Sequence, residues 1–299
     1  MMHKQKTLSP IICAVKRKIP LLCFALVLLA LTMTFVILKP LASAAAANRQ
    51  AVQEALDKTS QALDAAEPIY QKLRELIEEE VDAMGVEDDS EPDLDESEAG
   101  YLELNGYAEQ LDGLILSLNG LTGDPSASDG KTVRAAIEYL SMLRDMSSDL
   151  SELVRYGIDM YHAVEPMGMM DGDSDDFAVI AAQIWNGCEA TRVMMEAIKP
   201  PSYLAITHND LVARITEFRD FGEDFKYACS MEDPLRMYSC VYQTNRIIRM
   251  FDICDDNLTS DMDLQFTQAE RRLNGPIAQL RDELMKNIET LNNALGRGQ

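Results

Sequence analysis

Few residues in this chain have the types and spacing that chemistry needs. Only His162 and His208 lie beyond the first forty residues. His208 sits on the apolar seam of a helical pattern, with Leu204, Ala205, Leu211 and Val212 one turn away. No carboxylate or second histidine stands at a ligand spacing on that face, so a satisfied core histidine is the plain reading. Asn245 and Arg246 are the nearest polar companions that a pocket among the C-terminal helices could use. His208, Asn245 and Arg246 are therefore the candidate ligand-pocket residues.

Four cysteines, Cys188, Cys229, Cys240 and Cys254, fall in the C-terminal part. In an oxidising compartment they could pair in three ways. Levelling antiparallel helices by their turns sets Cys188 opposite Cys254 and Cys229 near Cys240. Buried free thiols are the competing reading. No C-x-x-C occurs, so neither a redox pair nor a zinc site is indicated.

Three further motifs fail on spacing. Gly130-Lys131-Thr132 ends like a phosphate-binding loop, but Pro125 stands where that loop needs its first glycine. The run Asp171 to Asp176 opens like a calcium loop, yet Asp176 takes the glycine position and Ala182 the place of the closing carboxylate. Met160, His162, Met167, Met169 and Met170 could offer thioethers and an imidazole to cuprous copper. With seventeen methionines in the chain, ordinary core packing explains them as well. No cofactor or metal is expected. Fifty acidic residues would hide any catalytic carboxylate pair, and no motif singles one out.

Charge narrows the partners. The formal net charge is −23, and all six basic residues before Leu41 stand where no Asp or Glu does. Removing those six of 27 leaves 21 basic residues against 50 acidic ones. Such a surface repels nucleic acid, which is not an expected partner.

The elements that must position these residues begin with Leu21 to Leu38, eighteen residues without a charge. At about 1.5 Å per residue the run spans roughly 27 Å, and Ile19 and Pro20 extend it towards the thickness of a bilayer core. Lys16-Arg17-Lys18 precedes it, which places the N-terminus in the cytoplasm. Ala42-Ser43-Ala44 suits a cleavage site, so a secreted protein cut after Ala44 is the alternative to an uncleaved anchor. Cys23 lacks the small residue that precedes a lipidated cysteine.

Beyond the membrane the apolar spacing is helical throughout, with no alternating stretch bounded by hairpin turns. The expected fold is all-α: an N-terminal transmembrane or signal-anchor helix followed by an extracytoplasmic antiparallel bundle of long, coiled-coil-like helices. The expected divisions are a basic tail over 1–18, the anchor over 19–40, a juxtamembrane helix over 41–84 and an acidic flexible linker over 85–100. A helical hairpin region over 101–165 and a four-helix bundle over 175–296 complete them. Pro68 should kink or interrupt the juxtamembrane helix, and a last helix should begin near Thr259-Ser260 and break or kink at Gly275-Pro276. Gly106, Gly113 and Gly120 lie seven apart, which either a close neighbour or chance in a weak helix explains. A helix from about Lys131 to Val164 should turn Ala136, Leu140, Leu143, Leu150, Val154, Tyr161 and Val164 inward, and in the next-to-last helix Tyr238, Val241, Ile248 and Phe251 should face inward.

The functional expectation is a membrane-anchored binding or interaction module of the cell envelope, with a protein or envelope component as partner. A solute- or cation-binding bundle is the alternative, and it requires an internal cavity around His208, Asn245 and Arg246.

Overall fold

The computed structural model describes residues 49–84, 93–121, 128–169 and 176–296, and among them there is helix and no strand. The apolar run Leu21 to Leu38 lies outside these residues. No described helix is long and apolar enough to cross a membrane.

Helix α1 (49–83) is continuous through Pro68 and buries Leu56, Leu63, Tyr70, Leu73 and Ile77. Its steps of seven, seven, three and four are those of a coiled-coil seam. Helix α2 (Leu94–Asn119) starts inside the acidic stretch expected to be a flexible linker. Asp93 caps it, its carboxylate accepting from the N–H groups of Asp95 and Glu96 at 3.0 and 3.1 Å, and those two acids occupy the first turn. Acids there complement the positive end of the helix dipole. The same residues that read as solvated chain are thus a helix start.

Helix α3 (Ser128–Gly168) carries Pro166 in its last turn and so runs past the expected end near Val164. Its inward face also differs in the second half. Leu153, Tyr156, Met160 and Ala163 are buried, whereas Val164 is exposed and Tyr161 only half-buried. Helix α4 (Phe177–Ala197) is capped by Asp176, and Pro200-Pro201 separates it from α5 (Ala205–Ser230). The turn into α6 (Pro234–Arg272) is tight. Glu232 takes a positive φ of 51° there, and Asp233 caps α6 with Pro234 at its first position.

The largest departure concerns α6. No helix begins at Thr259-Ser260, because α6 continues without a break through Arg272. The polar run Asp255 to Asp261 resembles a cap, but neither glycine nor proline occurs between Leu235 and Asn274, so nothing stops the helix. At Gly275-Pro276 the backbone passes through a π-turn (Leu273–Ile277) and re-enters α-geometry as α7 (Ala278–Gly296). The wider turn accommodates the missing N–H of Pro276 without ending the rod. The expected four-helix unit after residue 175 is therefore α4, α5 and one long rod, whose C-terminal part belongs with the N-terminal helices.

Residue pairs fix the layout. Arg281 of α7 donates to both oxygens of Glu67 on α1 at 2.7 and 2.8 Å and lies over the Tyr70 ring at 5.2 Å. Arg144 of α3 meets Asp112 of α2 at 3.0 Å, and Arg155 meets Glu98 at 3.2 Å. Arg219 of α5 meets Glu189 of α4 at 3.0 Å. Thr267 meets Met84 at 3.9 Å, and Gly222 lies against Ile184, so in each pair of helices one number rises as the other falls and the neighbours are antiparallel. One end of the molecule is α1, α2, α3 and α7; the other is α4, α5 and the first half of α6. A single apolar core runs from Leu73 and Leu111 through Leu143 and Tyr156 to Cys188, Leu211 and Ile215. A smaller cluster of Ala181, Phe221, Phe225, Ala228 and Cys240 closes the far end.

Gly106, Gly113 and Gly120 touch nothing that a methyl group would meet, so no close neighbour explains their spacing. The close approach is at Gly222, where a Cβ would lie 3.0 Å from Ile184 Cγ2 and from the Trp185 backbone nitrogen. Gly222→Ala is expected to destabilise the fold by about 1–3 kcal/mol through overpacking. Gly106→Ala is expected to stabilise it by about 1 kcal/mol by helix propensity. Opposite shifts of the urea midpoint at unchanged slope would check both.

Candidate functional site

The two ends of the bundle join where α3, α4, α5 and α6 pass one level, and the buried Thr207 and His208 lie there. His208 is buried on α5. Its Nδ1 lies 3.2 Å from the Tyr156 hydroxyl of α3, and the ring bonds to the backbone of Met195 on α4. A ring N–H given to the Met195 carbonyl leaves Nδ1 as acceptor for the Tyr156 O–H, so the imidazole is neutral and bridges three helices. Burial pushes its pKa down, against the opposing pull of the Met195 bond. Burial also raises Tyr156 to about 12. One residue earlier, the Thr207 hydroxyl donates to the Asp261 carboxylate on α6. These three bonds tie α5 to α3, α4 and α6 at one level.

Beside this junction a shallow cleft of about 200 Å³ opens between α3, the α4–α5 turn and α6. Arg272 and Asp149 pair across it at 3.2 Å, and Tyr203 in its wall is raised to about 12, chiefly by burial and then by Asp149 and Glu152.

A larger groove of about 580 Å³ lies between α1 and α2. Leu73, Leu104, Val154 and Phe266 form its floor, while Glu75, Glu79, Glu80, Glu96 and Glu103 line it with Lys72. Burial, then Glu79 and Asp263, push the Glu80 carboxyl above its usual range. Lys72 pairs with Glu75 at 2.6 Å. Among the described residues no three His, Cys, Asp or Glu side chains converge as a metal ion would require.

The sequence-predicted pocket residues do not meet. Asn245 and Arg246 are exposed on α6, whereas α5 meets α6 beside His208 at Asp261. Fifteen residues of helix from Arg246 to Asp261 amount to about 23 Å. The four cysteines are free thiols, and neither expected pair is bonded. Helices α4 and α6 each pack on α5 rather than on one another, which keeps Cys188 from Cys254. Cys188 is raised to about 12 by burial. Burial and then Asp224 raise Cys240, whose neighbours include Cys229. Gly130-Lys131-Thr132 lies within the first turns of α3 rather than in a loop. Met160 is buried and His162 exposed, so those two face opposite ways, and Met170 lies outside the described residues. Tyr156 lies off the face that the spacing assigns to α3 through Val154 and Tyr161, so the sequence does not single it out.

Comparison with family models, with curated proteins and with solved structures finds no match for this chain.

Because the fold holds His208 neutral, the unfolded chain binds a proton that the native state refuses. The folded pKa is the lower one, so stability falls as pH drops below about 6.5. NMR titration of the imidazole is expected to give a midpoint below 6.5. Tyr156→Phe strands Nδ1 without a donor and is expected to cost about 1–3 kcal/mol in urea unfolding.

Proposed function

We propose that this chain is a membrane-anchored, extracytoplasmic helical bundle that works as a binding or interaction module of the cell envelope. The observation that carries the reading is the filled interior. The core is continuous from α1 to α5, its one buried histidine is satisfied by Tyr156 and Met195, and the clefts described above open sideways onto the surface. A bundle built to enclose a solute keeps an apolar cavity with convergent polar groups. Here His208, Asn245 and Arg246 do not converge. What the protein offers to a partner is helix surface.

Location rests on the charge-free run Leu21 to Leu38 after Lys16-Arg17-Lys18, which favours an anchor with the acidic chain outside. The partner, on this reading, is a protein or an envelope component rather than nucleic acid, because fifty carboxylates oppose phosphate. Protease added to whole cells is expected to degrade the C-terminal half, detected by an antibody to residues of α7, while a cytoplasmic marker survives. Survival of that half in whole cells, with digestion only after lysis, would overturn the location.

A further inference from the structure

Helix α6 carries two apolar seams, and its own bundle covers one. Cys240, Thr244, Ile247, Phe251 and Cys254 face α5 and are buried or half-buried. On the opposite side Leu235, Tyr238 and Tyr242 are 83%, 77% and 76% exposed, and nothing among the described residues covers them. Three large apolar side chains on one helix face, each three-quarters exposed, form a contiguous patch rather than scattered surface apolars.

The outward residues follow a strict pattern. Leu235, Tyr238, Tyr242, Asn245, Arg249 and Asp252 are separated by steps of three, four, three, four and three, the a and d positions of a heptad. Two other exposed apolar residues of α6, Ile248 and Ile253, then fall at g and e. In a parallel, in-register pair of helices, g of one strand meets the e position five residues on in the other. Ile248 therefore lies against Ile253 of a second copy, twice by symmetry.

Charge and polarity agree with the same register. Arg249 is exposed and makes no ion pair among the described residues, whereas Arg236 pairs with Asp224. In that register Arg249 and Asp252 each face their own copies, and the neighbouring-layer contacts of Arg249 with Asp252 of the other strand set opposite charges against those like-charge layers. Asn245 at d lies opposite itself, where the two side-chain amides can donate and accept across the seam. From Pro234 to Phe251 the helix has three arginines and no carboxylate, so the local surface lacks the acidic repulsion that separates two copies elsewhere.

We propose that two copies of this chain pair in parallel through the outward face of α6, as a short two-stranded coiled coil from Leu235 to Asp256. The pairing stands on α6 alone and not on the membrane reading, which adds only that copies anchored in one bilayer point the same way.

The test uses the full-length chain purified in detergent. Leu235→Cys, placed at one end of the seam, is expected to give a reductant-sensitive covalent dimer on oxidation. Wild type, and Glu223→Cys on the exposed face of α5, supply the background. Tyr238→Asp with Tyr242→Asp is expected to convert a sedimenting dimer into a monomer at unchanged helix content, since both side chains are exposed. A monomeric wild type at micromolar concentration overturns the proposal. So does a dimer that Leu235→Cys crosslinks no better than Glu223→Cys, because an antiparallel pair would separate the two Leu235 positions by the length of the seam.

Discussion

The structure depends on one constraint: nothing between Leu235 and Asn274 can stop a helix. With the π-turn absorbing Pro276, α6 and α7 form a rod of roughly 90 Å at about 1.5 Å per residue. That rod reaches both ends of the molecule. Near its C-terminus Arg281 grips Glu67, near its middle Thr207 grips Asp261, and near its start Asp233 caps it beside the α5 turn. With a break in that rod the chain would form two bundles joined by a hinge; without one it shares a core.

Much of this was legible. The absence of alternation and the seams of α1, α2 and α5 point to helices from spacing alone, because a residue's burial there follows the single apolar stripe it belongs to. The failures are also instructive. Asp93, Asp95 and Glu96 look like solvated acid in composition but act as a cap and first turn in position. The run Asp255 to Asp261 is the reverse: it has the composition of a cap and lies in mid-helix. Periodicity could not choose between the two stripes of α6, so Tyr238 and Ile248 were assigned to the core and are on the surface. On α3 the buried face shifts towards Tyr156 where α4 and α5 join, and no local signal records a change of packing partner.

The candidate site was legible only as a residue, not as a constellation. His208 stands on a clear seam, but its partners Tyr156 and Met195 come from helices 52 and 13 residues away in sequence, brought together by the fold. Their bonds satisfy the imidazole and leave it no free nitrogen for a ligand, which makes it a bolt between helices. The exterior is chemically uneven, with an acidic groove between α1 and α2 and an uncovered apolar stripe on α6.

The shared core is the claim on which the rest stands, and the lone tryptophan offers a direct reading of it. Trp185 reports the α4–α5 end by fluorescence, while far-UV circular dichroism reports every helix. In equilibrium urea unfolding the two signals are expected to trace one coincident transition. Fluorescence that changes at a separate urea concentration from the helical signal would mean two independently folding halves, and would contradict the account.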